Sequence, residues 1–152
     1  MSLESEALGR SAYAGARVSY QRAVIARAAD GMTRAFSIED LIAEVRHDLP
    51  GIGAATVYRA VSAMEAARFV EALGTREGSA IYARCRSGGH HHHLVCTGCG
   101  AVADAECPMA LASYPAPDGF QVTGHDLVLY GRCAKCRVAA CAEGSGPETG
   151  AV

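Results

Sequence analysis

Phe69-Val70-Glu71-Ala72-Leu73-Gly74-Thr75-Arg76-Glu77-Gly78-Ser79-Ala80-Ile81-Tyr82-Ala83 is the stretch on which the fold turns. Before it, apolar residues recur at helical spacing; within it they alternate with polar ones, the period of a strand. Phe69–Leu73 and Ala80–Ala83 flank the turn-rich Gly74–Gly78, so the segment reads as a β-hairpin. Three helices followed by a hairpin is the element order of a winged helix-turn-helix.

Upstream, residues 1–68 read as helical. Ser19 is placed to cap a helix running to about Ala29, with Val24, Ile25 and Ala28 on its apolar stripe. Ser37 opens the next, with Asp40 three positions on as a capping-box acid and Ile38, Leu41, Ile42 and Val45 as its core face. Pro50-Gly51-Ile52-Gly53 breaks the chain, and a third helix spans Ala54–Ala67 with Val57, Val61 and Met64 on one side.

Downstream, Ser87-Gly88-Gly89 reads as a hinge and His90 begins a second unit. Strands are expected at His90–Cys96, Ala101–Asp104 and Gln121–Tyr130, with a weak helical segment from Pro108 to Tyr114. The organisation is therefore α+β: a winged-helix half over residues 1–84, a hinge at 85–89, a smaller second half over 90–141 and a disordered tail over 142–152. The tail is expected from its Gly, Pro, Ser, Thr and Glu content.

Cys96-Thr97-Gly98-Cys99 and Cys133-Ala134-Lys135-Cys136 form two C-x-x-C turns. Each presents two thiolates to one metal, and together they complete a tetrahedral sulfur shell suited to structural zinc. Cys107 and Cys141 read as bystanders, although Cys141 lies near enough to the second pair to assist it. His90-His91-His92-His93 leads directly into this first turn. On a strand, His91 and His93 face one way and His90 and His92 the other, so each pair is a separate chelate. Cys85 and Glu71 can reach one face, and Asp104 and His125 fall in later strands. A thiolate with two imidazoles favours zinc over iron or manganese.

Composition narrows the remaining classes. The seven cysteines are read as ligands or bystanders rather than as a disulfide framework. No run is long and apolar enough to span a bilayer and the N-terminus has no leader pattern, so a cytoplasmic protein without membrane contact is expected. A net charge of −2 argues against indiscriminate nucleic-acid binding, yet Arg10, Arg17, Arg22 and Arg27 form an acid-free basic strip. There is no H-E-x-x-H, nor an H-x-E paired with P-C-x-x-C, so neither an enzyme nor a small organic substrate is expected.

Four segments then resemble the ferric-uptake-regulator (Fur) superfamily, over about residues 15 to 137. They are Val18-Ser19-Tyr20-Gln21-Arg22, the run Pro50–Arg59 (PGIGAATVYR), His90–Gly100 (HHHHLVCTGCG), and His125–Gly131 (HDLVLYG) before Cys133 and Cys136. The resemblance implies a homodimeric, metal-sensing repressor with a C-terminal α/β dimerisation domain, binding inverted repeats in double-stranded operator DNA of metal-uptake genes. It makes Ala54–Ala67 the recognition helix, with Thr56, Tyr58 and Arg59 near DNA and Arg17 in the minor groove. For Tyr58 a place in the core is the alternative.

Within the superfamily the chain is most similar to the zinc-uptake-regulator (Zur) branch. Ala35 stands where iron- and peroxide-sensing members usually carry a histidine, and Ala83 where they tend to carry a carboxylate. The resemblance implies a regulatory zinc held by Glu71, Cys85, His91 and His93. It also implies an accessory site of His90, His92 and His125. The family's glutamate there is replaced by Leu111, so the site is three-coordinate or completed by Asp104 or water; alternatively Asp104 joins His91 and His93. Iron, manganese, nickel or peroxide are the other effectors within the class. A zinc storage or delivery protein is the reading outside it.

Overall fold

The computed structural model describes residues 3–14, 17–87, 89–108 and 116–142. The expected helix from Pro108 to Tyr114, Leu111, the centre of the hinge at Gly88 and residues 143–152 of the expected tail fall largely or wholly outside them.

Four helices open the chain: α1 (Leu3–Ala12), α2 (Tyr20–Gly31), α3 (Ile38–Asp48) and α4 (Ala54–Ala66). Ser19 caps α2 by accepting the Arg22 amide at 3.3 Å. Ser37 and Asp40 close a full capping box on α3, each side chain accepting the other's backbone N–H. Acids in the first turn of α3 and Arg46 and His47 in its last complement the helix dipole. Val24 and Ile25 from α2, Leu41 and Val45 from α3, and Val57, Val61 and Met64 from α4 share one core. Phe36 and Phe69 close it toward the sheet. Burying these side chains is the main term holding the half together.

A three-stranded antiparallel sheet follows, ordered β1 (Phe36–Ser37), β3 (Ser79–Arg84), β2 (Val70–Arg76). The hairpin is longer than the sequence suggests. Its strands run on to the pair Arg76↔Ser79, and the turn contracts to Glu77-Gly78. Both turn residues have positive φ, 52° and 83°, as the type I′ turn that matches strand twist requires. A bulge between Ala72 and Gly74 leaves Leu73 as the extra residue, and Gly74 pairs with Ile81 within the strand rather than starting the turn.

The second sheet is ordered β5 (Val102–Glu106), β4 (His91–Cys96), β6 (Val128–Gly131). β5 runs antiparallel to β4 and β6 parallel to it. The strand expected over Gln121–Tyr130 is confined to its last residues, because 121–127 has no strand to pair with and is irregular around Gly124. A helix not anticipated from the sequence, α5 (Ala134–Ala142), leaves the second C-x-x-C turn and takes in Ala142, the first residue assigned to the tail.

Among the described residues the two halves touch at several places. Arg34 bridges Ala101, and the Ala35 amide donates to Gly100 O at 2.8 Å. On the other side the Arg86 guanidinium donates to the carbonyls of Asp30 and Met32. Among the described residues no helix is long and apolar enough to cross a membrane.

Candidate metal centres and DNA-facing surface

Among the described residues three groups of potential metal ligands converge, each with its donor atoms within 4.8 Å of one another. The first is Cys96, Cys99, Cys133 and Cys136. Two sulfurs about 2.3 Å from one zinc at a tetrahedral angle stand about 3.8 Å apart. Cys99 and Cys133 Sγ are separated by 3.8 Å. The Cys133 amide, followed by those of Cys99 and Gly98, donates to Cys96 and lowers its thiol to about 6. Hydrogen bonding to the sulfurs of Cys99, Cys133 and Cys96 pushes Cys136 up instead. Four crowded sulfurs cannot all be anionic unless a cation sits among them, a charge that a divalent metal would supply. The two nearby glycines serve different ends. A Cβ on Gly98 would lie 3.0 Å from Cys136 Sγ, whereas Gly100 is needed for its φ of 72°.

The second group is Glu71, Cys85, His91 and His93. Glu71 comes from β2, Cys85 from the residue after β3, and the imidazoles from β4 across the hinge. Glu71 Oε2 lies 3.0 Å from His93 Nε2 and 3.8 Å from Cys85 Sγ. His91 Nδ1 meets Gly89 O at 3.1 Å, which leaves Nε2 as the free lone pair. That Nε2 is buried and has no hydrogen-bond partner, an orphan acceptor of the kind a metal satisfies. Burial, then the charges of Glu71 and Asp104, push the Cys85 thiol up to about 12. A metal must therefore displace its proton, so binding weakens as the pH falls. A cavity of about 410 Å³ opens beside Glu71, Cys85 and His91 and gives solvent a route to them.

The third group departs from the sequence reading. His90, His92 and His125 do converge, but the fourth donor is Cys107, not Asp104. Asp104 lies directly opposite His93 in the β4–β5 register. Opposite residues in a sheet share a face, so Asp104 belongs beside His91 and His93. Its Oδ2 accepts the amides of Arg86 at 2.9 Å and Ser87 at 2.7 Å. Burial raises its pKa, but those two amides outweigh it and hold the carboxyl below its ordinary value. Cys107, read as a bystander, has its Sγ 3.1 Å from His125 Nε2. The same Nε2 is 3.1 Å from Nε2 of both His90 and His92. One imidazole nitrogen carries a single in-plane proton or lone pair and cannot hydrogen-bond three ways. Nitrogens sharing a tetrahedral zinc stand about 3.3 Å apart, close to these spacings. Burial lowers the pKa of His92, then His125 and His90 add to the effect, which keeps its lone pair available.

In the winged half, α4 exposes Tyr58 and Arg59, while Val57, Ala60, Val61 and Met64 face the core. Tyr58 is therefore on the surface, 46% exposed, its hydroxyl donating to Glu39 at 3.1 Å. Arg59 is hydrogen-bonded to Thr56 Oγ1, and Arg17 is exposed at the entry to α2. No acid occupies the first turn of α4 and no side chain caps it, so the positive end of the helix dipole lies beside these residues.

A winged helix joined through a hinge to a sheet lined with cysteine and histidine defines a metal-binding protein of DNA-binding architecture. The family model described as the ferric uptake regulator family matches residues 13–130. The chain belongs to the ferric uptake regulator family, whose members are DNA-binding transcription regulators and not enzymes. A zinc uptake regulation protein of Mycobacterium tuberculosis is 36% identical over 127 residues, covering 82% of this chain and 97% of that protein. Ferric uptake regulation protein 2 of Mycolicibacterium fortuitum is 33% identical over 128 residues, covering 81% and 87%. A solved zinc uptake regulator complexed with zinc and DNA superposes with a TM-score of 0.69, covering 93% of this chain and 99% of its own at 24% identity. That likeness shows the fold. The relatives' names divide between iron and zinc, so the effector has to be argued from the donors.

Proposed function

We propose that this chain is a cytoplasmic zinc-sensing repressor that acts as a homodimer on operator DNA. The observation that carries the reading is the second donor group. Glu71 and Cys85 belong to the winged half and His91 and His93 to β4, so a single metal ties together the chain on either side of the hinge. A thiolate among two imidazoles and a carboxylate suits zinc better than iron or manganese. Zinc would favour the closed arrangement of the two halves, and DNA that prefers this arrangement would tighten zinc binding in return. The four cysteines supply a closed, structural zinc site. Exposed Leu94 and Leu129, opposite one another on neighbouring β4 and β6, give an apolar surface for the second subunit. The direct test is a gel shift on DNA from upstream of the protein's own gene, with zinc and with chelator. Binding that ignores zinc would refute the sensor.

Two further outcomes are expected. Arg59→Ala should weaken operator binding by about 1–3 kcal/mol where the guanidinium reads a guanine edge. Tyr58→Ala should also weaken it, and both should keep the metal content. Unchanged affinity in titrations would remove these residues, and with them the grouping of Thr56 and Arg17, from the DNA interface. For the accessory site, Cys107→Ser should lose one zinc per protomer. In the cobalt-substituted protein it should also lose part of the thiolate-to-metal absorption. An unaltered metal count and spectrum would return Cys107 to a bystander role.

A further inference from the structure

Both imidazoles of the second donor group turn their other nitrogen toward a group in or bonded to the hinge. His91 Nδ1 reaches Gly89 O at 3.1 Å. His93 Nδ1, buried and without a hydrogen-bond partner, stands 3.4 Å from Oδ1 of Asp104. The other oxygen of the same carboxylate accepts the amides of Arg86 and Ser87, at 2.9 and 2.7 Å. Arg86 in turn holds the carbonyls of Asp30 and Met32 at the end of α2. One carboxylate thus spans the gap between a metal-ligand ring and the backbone that leads into the winged half.

The geometry points to Asp104 as a positioning residue that couples the sensing metal to the hinge, rather than as a ligand of any metal. The inference rests on the zinc-sensing reading of Glu71, Cys85, His91 and His93. Coordination through Nε2 leaves the neutral His93 ring a single proton, on Nδ1, facing Asp104 Oδ1. Ligating histidines characteristically donate that second N–H to a carboxylate, which fixes the ring and strengthens the ligand. Here the acceptor is also the cap of two hinge amides. Metal binding at one nitrogen is thereby felt at Arg86 and Ser87 without the carboxylate entering the coordination shell. Asp104 Oδ2 is 3.9 Å from His91 Nε2, and its hydrogen bonds to the two amides hold it in the hinge.

The test is amide hydrogen exchange on the full-length protein, read at Arg86 and Ser87. Zinc content and zinc-dependent binding to the upstream DNA are measured on the same samples. In wild type both amides should exchange about tenfold faster once a chelator removes the sensing zinc, the mark of a local opening. Asp104→Ala should keep the full zinc content, leave both amides unprotected with or without zinc, and lose most of the zinc-induced gain in DNA affinity. Asp104→Asn separates the two contacts and serves if the alanine variant does not fold. Its carbonyl oxygen can still cap the hinge amides, but its NH₂ then meets the His93 N–H, donor against donor. Protection should persist in this variant and cease to respond to zinc. Loss of one zinc per protomer in either variant would make Asp104 a ligand and overturn the proposal. Wild-type coupling between zinc and DNA in Asp104→Asn would overturn it as well. If wild-type DNA binding follows zinc while the two amides do not, the coupling fails and the sensor stands. If the amides follow zinc while DNA binding does not, the sensor fails and the coupling stands.

Discussion

Cys96→Ser or Cys136→Ser should unfold the C-terminal half rather than tune its response. A structural zinc contributes on the order of 10 kcal/mol to a small unit, as much as the whole stability of an ordinary domain. The second sheet has few other resources. Its largest fully buried side chains are His92 and His93, themselves candidate metal ligands, while Leu94 and Leu129 are more than 40% exposed. The four sulfurs gather the start of the β4–β5 turn, the end of β6 and the start of α5 at one point. Without their metal nothing of comparable strength holds those ends together. The consequence should extend to the first half, because the Gly100 carbonyl that accepts the Ala35 amide lies just beyond Cys99. Circular dichroism and zinc analysis of each variant would decide. A folded dimer with its full metal content would show that the four cysteines do not hold a structural zinc.

Cys85→Ala and His91→Ala should have the opposite character, a folded dimer that no longer responds to zinc. Each removes one of four donors from a site whose members come from both sides of the hinge, and neither touches the four-cysteine group. Couplings of this kind are worth roughly 1–3 kcal/mol, so zinc-dependent operator affinity should fall by about 5–150-fold. Cys85 is the more informative of the two. Its thiol is neutral until a metal displaces the proton, so the wild-type response should fade as the solution is acidified. Anisotropy titrations with labelled DNA, at fixed free zinc and several pH values, measure both effects. Zinc-dependent binding retained in either variant would move the sensing site elsewhere.

The reasons some features could be read from the sequence and others could not are local. Ser37 and Asp40 announce a helix start because capping involves residues three apart, and the cysteine turns are equally local. The split of four histidines between two faces follows from strand alternation alone. The sequence leaves two places open for Asp104, with the accessory group or with His91 and His93, because its face depends on register with another strand. The pairing His93↔Asp104 is a tertiary fact that no pattern within Ala101–Asp104 encodes. Cys107 belongs to no motif of recognisable spacing; His125, 3.1 Å from it in the site, is distant in sequence. β1 is two residues long, too short for any periodicity, and exists because β3 offers it an edge.

The register of β4 also bears on how the histidine run would tolerate a change of length. Leu94–Cys96 is pinned by pairing on both sides, to β5 and to β6. Deletion of one histidine would therefore be absorbed at the hinge end, leaving imidazoles at positions 91, 92 and 93. The accessory group would forfeit its outermost member, His90, and the connection into the winged half would tighten by one residue. Lengthening the run would add slack there instead. A homopolymeric stretch that looks interchangeable thus works as a ruler read from its fixed end, its first residue setting the reach of the hinge and its last two the identity of each site.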